Sequence, residues 1–149
     1  MEMKSHYGKL GINLALSAIV MFLVMYAMID SLAELYFNLG NLYMTLMMLA
    51  PMGILMLLLM GSMYGNKRLN LALYLGFAVI FFAAFSFTRT QALIGNGQFL
   101  RAMIPHHSGA ILMCREASIT DPEIIVLCDR IRSSQRQEID QMKAILARY

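Results

Sequence analysis

Toward its C-terminal end the chain reads Met103-Ile104-Pro105-His106-His107-Ser108-Gly109-Ala110-Ile111-Leu112-Met113-Cys114. No other stretch gathers as many groups able to hold a metal. Met103 precedes His106 by three residues and His107 by four. His106 to Met113 and His107 to Cys114 are each seven apart. On a helix this spacing puts Met103, His107 and Cys114 along one stripe, with His106 and Met113 on its flank. Thioether, imidazole and thiolate are soft to borderline donors. They suit Cu(I) best and Zn(II) next, whereas Mg or Ca would want oxygen. Glu116 and Glu138 are the carboxylates within reach of such a site. Each residue alone has a plainer role, because a buried histidine is usually hydrogen-bonded and a helical methionine usually packs. Together they favour metal binding, since a histidine pair bracketed by Met and Cys is costly to bury without a partner.

No catalytic constellation accompanies these donors. The chain has no Gly-rich phosphate loop, no nucleophile motif and no carboxylate dyad, and Ser108 beside His107 lacks an oriented acid on this reading. The chain therefore reads as not an enzyme. Nucleic-acid binding is disfavoured, because the net charge of +3 is spread along the chain.

Two helices must position the donors. Gly95-Asn96-Gly97 breaks the chain, and Asn96 is placed to cap a helix beginning near Gln98. Phe99, Leu100, Met103, Ala110, Ile111, Cys114 and Ala117 recur with a helical period, and Pro105 should bend the run one turn before the histidines. Thr120-Asp121-Pro122-Glu123 restarts the helix, with Asp121 as cap and Pro122 at the first position, or with Thr120 and Glu123 as a capping box. The last helix runs to about Arg148, with Ile124, Cys128, Ile131, Gln135, Ile139, Met142 and Leu146 as its inner stripe. The short connection makes the pair antiparallel. Counting outward from the turn sets Cys114 beside Cys128 and His107 beside Gln135. It sets Met103 near Glu138 and Ile139, and Phe99 near Met142. Gln135 and Glu138 are thus expected to support the site, with Gln135 fixing the imidazole tautomer. One hairpin cannot bury both inner faces, so a second copy completing a four-helix bundle is expected, as a dimer or higher homo-oligomer.

The rest of the chain is of another kind. Of its 149 residues, 59% are hydrophobic and only 14% charged, against roughly 25% charged in a soluble domain. Three uncharged apolar runs, 10–29, 42–63 and 69–87, are each long enough to span a lipid bilayer. Pro51 should kink the second. Ala72 and Gly76 are spaced for close helix contact. The fold class is therefore all-α, with a three-helix transmembrane region over 1–88 and a metal-binding helical hairpin over 95–149. A signal peptide is the competing reading of the first run, but that run is too long for one, and a retained anchor is expected. Lys4 and Lys9 precede the first run, Asp30 and Glu34 follow it, and Lys67 and Arg68 follow the second. Positive-inside reasoning puts the N-terminus in the cytoplasm and the hairpin on the outer, periplasmic or extracellular side. Arg89, Arg101 and Arg115 argue partly against that orientation.

The segment from Phe99 to Ile111, with its Met-Ile-Pro-His-His core, resembles the domain-of-unknown-function family 305, and Glu138-Ile139-Asp140-Gln141-Met142-Lys143 is similar to that family's closing helix. The resemblance covers about residues 95–149 and says nothing of the apolar runs. It implies a four-helix, ferritin-like bundle, secreted or membrane-attached, tied to copper binding and copper resistance. It implies Met103, His106, His107 and Met142 as ligands. Two departures stand out: this chain holds one hairpin where longer members have two, and Cys114 and Cys128 are outside the family pattern. That pair has two readings, a disulfide stapling the hairpin outside the cytoplasm or two thiolates binding copper.

Methionine is the remaining anomaly, with 15 in the chain, where it is not among the commonest residues of proteins. Met44, Met48, Met52, Met56 and Met60 recur every four residues in the second run, tracing a spiral. They are ordinary lipid-compatible filler or, on the sharper reading, a thioether path for Cu(I) through the membrane. The expected function is copper binding at the outer face, for storage, tolerance or handover to a copper-handling partner. The alternatives are a Cu(I) conduit and a metal-free structural or interaction module.

Overall fold

The structure, a computed structural model, describes residues 2–149, with side chains from His6 onward. The side chain of Lys4, counted in the N-terminal charge, lies outside the described residues. Among these the chain is all-α: α1 (Glu2–Val24), α2 (Leu39–Leu59), α3 (Lys67–Thr90), α4 (Asn96–Glu116) and α5 (Pro122–Leu146), with 3-10 turns at Leu32–Glu34 and Gly61–Met63.

Helices α1, α2 and α3 are each long and apolar enough to cross a membrane. Only 11%, 28% and 6% of their apolar windows are buried within the chain. Ile12, Leu16, Val20, Leu55, Leu58, Leu71, Leu75, Val79 and Phe82 face outward. Surface of that extent needs an apolar solvent. The helices are offset from the apolar runs. The first run outlasts α1, because the chain leaves the helix after Val24 and the Tyr26 hydroxyl accepts from the backbone amide and from the side-chain amide of Asn38, each at 3.3 Å. The second run stops at Leu59, where Gly61 and Ser62, weak helix formers, tighten into a 3-10 turn. The third starts early, because Asn66 caps it by accepting from the Leu69 amide at 3.1 Å. Pro51 and Pro105 both lie inside single continuous helices.

The chain divides into two compact units. The first runs to Val24 and resumes over Gly40–Leu93. Its core is Leu10, Leu14, Leu57 and Tyr64, with Tyr7, Met56, Tyr74 and Phe77 packed against it. A Cβ at Gly53 would lie 2.6 Å from the Phe77 ring, so glycine permits that contact between α2 and α3. Tyr7 donates to Asn70 at 2.7 Å, and Asn70 donates to the Tyr64 carbonyl at 2.7 Å. Ala72 and Gly76 are exposed.

The second unit joins Ile94–Tyr149 to Met25–Leu39, the connection between α1 and α2. The sequence grouped that connection with the apolar runs, and it folds instead with the hairpin. Its Tyr36, with Met142 and Leu146, packs on the core of Ile104, Ile111 and Ile139. Gly109 lets the connection approach α4, since a Cβ there would stand 3.4 Å from the Met28 carbonyl. Gln98 in the first turn of α4 accepts from the Leu39 amide at 3.1 Å. Asn96 is not the cap: Gly95 holds that position without a side-chain bond, and the Asn96 amide donates to the Tyr149 hydroxyl at 3.0 Å. Asp121 does cap α5, accepting from the amides of Glu123 at 2.8 Å and Ile124 at 3.2 Å, with Pro122 following. Of the expected inner stripe of α5, Cys128 and Ile139 are buried, Ile131, Gln135, Met142 and Leu146 half-buried, and Ile124 exposed.

Candidate metal centre

Cys114 and Cys128 face each other across the hairpin and form a disulfide, with 5.3 Å between their Cα atoms. Equal counting from the turn finds this pair correctly. It also removes both sulfurs from the thiolate donors.

His107 lies on the buried stripe of α4 with Leu100, Ile104, Ser108 and Ile111. Its Nδ1 is 2.9 Å from the Met103 carbonyl oxygen, and its Nε2 is 2.7 Å from Glu138 Oε2. The count from the turn named Gln135 as the partner, one helical turn short of the residue found. Helical side chains lean toward the helix N-terminus. In an antiparallel pair His107 therefore leans away from the turn and Glu138 leans back to meet it. Backbone counting is right for short side chains such as the cysteines and misses by a turn for long ones. Gln135 does not bond His107; its Oε1 is buried with no hydrogen-bond partner among the described residues.

A carbonyl only accepts, so Nδ1 carries hydrogen and Nε2 is the nitrogen presented to Glu138. Ser134 donates to Glu138 Oε1 at 2.6 Å. That bond first, and the His107 bond second, hold the Glu138 carboxyl below the usual carboxylate range.

The remaining sequence candidates are dispersed. His106 is exposed, its ring 6.3 Å from that of His107, and Met113 is exposed one heptad further on. Met103 is half-buried, and Met142 packs in the hairpin core. Glu116 is taken by Arg115 at 2.7 Å. Among the described residues no three His, Cys, Asp or Glu side chains cluster as a closed metal site. The donor set still fits a cation in kind: an imidazole nitrogen oriented by its Nδ1 bond, a carboxylate on that nitrogen, and, one turn before the carboxylate, an orphaned amide oxygen. Met103 is four residues before His107 and Met142 four after Glu138. In the apolar unit Met56 packs on the core, Met44 and Met52 are half-buried, and Met48 and Met60 are exposed. The five do not line one buried face.

Sequence reasoning missed the group beside this site. Glu34, 1% exposed, and Asp30 come from the connection. Ser108, fully buried, donates to Glu34 Oε2 and accepts from the Asp30 amide at 2.6 Å. Its hydroxyl is thereby used in both directions. Arg136 bridges the two acids, bonding Glu34 and, at 2.6 Å, Asp30 Oδ2. Arg115 also pairs with Asp30, and Lys143 lies 3.8 Å from Glu34. Burial works against the charge of Arg136, but the two carboxylates outweigh it and raise its pKa. Glu116 first, opposed by burial, raises that of Arg115, with Asp30 adding to it. The available signal was a short connection with two acids and no base, set against an arginine-rich tail.

Comparison with known proteins adds two matches. The family model described as a domain of unknown function, DUF305, matches residues 90–146. The chain is 35% identical over 119 residues to the uncharacterized protein L153 of Acanthamoeba polyphaga mimivirus, a stretch covering 78% of this chain and 76% of that protein. That stretch is longer than the family-matched segment, so the likeness reaches into the apolar helices. No solved structure matches the chain.

Proposed function

We propose a function from one premise: the chain belongs to the DUF305 family over residues 90–146, and over most of its length it shares a family with the mimivirus protein. On that premise it is a membrane-anchored copper-binding protein. Copper is its cargo, held at the His107 turn for storage, tolerance or handover. The observation that carries the reading is the His107 ring. Its Nδ1 bond to the Met103 carbonyl turns Nε2 toward Glu138, and such an orienting bond is the usual support of a metal-ligating histidine. His107 and Glu138 would hold the ion, with His106, Met103, Met142 and the Gln135 oxygen adjoining. The imidazoles and thioethers favour copper, Cu(I) above all, over zinc.

The test is titration with Cu(I) against a competing chelator. Wild type should hold copper stoichiometrically. The double variant His106→Ala, His107→Ala should not, with its helices intact by circular dichroism. Undiminished binding in the variant would remove the site from this turn.

The reading sets the N-terminus in the cytoplasm and the hairpin on the outer side. Lys9, Lys67 and Arg68 support it. The basic tail weighs less against it, because Arg115 and Arg136 are neutralised by Asp30 and Glu34. Three crossings would also leave the connection and the hairpin on one side, as their ion pairs require. An introduced cysteine beside Lys67 should resist an impermeant thiol reagent in intact cells lacking Cys114 and Cys128; labelling there would reverse the orientation. A second copy would cover Ile124, Ile125, Val126 and Leu127, which a single chain leaves exposed. Leu127→Asp should then dissociate a cross-linkable homo-oligomer, and a wild type that never cross-links would remove the second copy.

A specific observation favours a second reading, a metal-free structural or interaction module. Both nitrogens of His107 are already bonded within the chain. Wild type that binds no copper in the same titration would select it.

A further inference from the structure

Glu34 is a carboxylate in near-complete burial, on a 3-10 turn capped by Ser31, whose Oγ accepts from the Ala33 amide at 3.3 Å. Burying a charge there is costly unless every oxygen is answered. Both are: Oε2 by the Ser108 hydroxyl, Oε1 by Arg136 with Lys143 behind it. The positions of these partners are informative. Ser108 directly follows His107 on α4. Arg136 stands between Ser134 and Glu138 on α5. The acid from the connection thus grips each helix at the turn where His107 meets Glu138, and Asp30 doubles both grips, through its amide to Ser108 and its carboxylate to Arg136.

We infer that Glu34 is a positioning residue for the His107–Glu138 pair, holding α4 and α5 at the separation the pair needs, so that the connection between α1 and α2 registers whether the pair holds a metal. The inference rests on the copper reading. A ligand pair must be held within a fraction of an ångström by its supporting shell. The two helices are also tied by the disulfide and by the Ile104, Ile111 and Ile139 core, both away from the pair. An ion held at Nε2 would replace the direct Nε2–Glu138 contact, any proton on that nitrogen being released to solvent. That shifts the α5 turn carrying Arg136, and Arg136 is bonded to both acids of the connection.

The experiment uses full-length protein in detergent, with Cu(I) as the probe. Wild type, Glu34→Gln and Ser108→Ala are compared for Cu(I) affinity by chelator competition. They are also compared for amide hydrogen exchange over residues 25–39, with and without Cu(I). Both variants should keep their helix content and lose about tenfold in affinity, the usual scale for losing a supporting partner of a metal ligand. In wild type, Cu(I) should change exchange across 25–39, and both variants should lose that change. Ser108→Ala removes one hydroxyl and decides the matter if Glu34→Gln fails to fold. Unaltered affinity in a folded Ser108→Ala, or wild-type exchange over 25–39 indifferent to bound Cu(I), overturns this inference and leaves the copper reading standing. Wild type that binds no Cu(I) overturns both.

Discussion

In the apolar unit, the side chains that hold the helices together and those that face outward are of one kind: Leu57 and Leu14 inside, Leu58 and Leu16 outside. In the hairpin unit they differ. Ile104, Ile111 and Ile139 form a small apolar core, and around it run charged and hydrogen-bonded pairs that join the connection to both helices. The first unit gains little from burying apolar groups against one another if its surroundings are apolar too, so close packing such as Phe77 on Gly53 has to hold it. The second unit adds a cross-link and buried ion pairs and, if its surroundings are aqueous, draws on the hydrophobic effect.

The largest effect that sharpens this contrast is a pair of truncations. Ile139→Ala, at a fully buried site in the hairpin, should cost about 3–4 kcal/mol, the transfer term plus a cavity. Leu57→Ala, equally buried in the apolar unit, should cost clearly less in detergent, where only packing is lost. Unfolding in denaturant followed by probes in each unit checks both. Equal costs would erase the distinction.

Next is the disulfide. It closes a loop with a separation of 14 residues, which corresponds to about 3 kcal/mol from the restricted unfolded chain. Reduction should lower the melting point of the hairpin and leave the apolar unit unaltered. A common shift in both would mean that they unfold together.

The apolar helices were legible because a membrane span is a property of composition in a single window. The hairpin was legible because its period, Asp121 and Pro122 are local. The group around Glu34 was not, because its bonds join residues as far apart as Ser108 and Glu34, or Arg136 and Asp30, separated by 74 and 106 positions. No periodicity marks such a pairing, and charge counting treated Asp30 and Glu34 only as markers of a loop. The Gln135 expectation failed on side-chain lean, which counting Cα positions ignores. Met103, His106 and His107 were legible as donors by type and Glu138 as a nearby carboxylate, but not that Glu138, in place of Gln135, is the residue bonded to His107.

Smaller effects should follow pH. Glu138 is held below the usual carboxylate range, so its contribution to folding is present above its unfolded pKa. It is lost as pH falls through its lowered folded pKa. The hairpin should therefore weaken at pH values below the ordinary carboxylate range, and Glu138→Gln should flatten that part of the profile. Melting in a pH series tests this, and an unchanged slope in the variant would assign the acid sensitivity elsewhere. The smallest effect lies at the end of α3, where Gln91 takes a left-handed φ of 52°. Gln91→Gly should stabilise that turn by about 1 kcal/mol, because glycine carries no Cβ penalty there.

The central claim is that His107 turns from its bond with Glu138 to copper. X-ray absorption at the copper edge of the loaded wild-type protein tests it most directly. The account predicts imidazole scattering around the metal, lost in the His106→Ala, His107→Ala variant. Copper bound with no imidazole in its shell would contradict it.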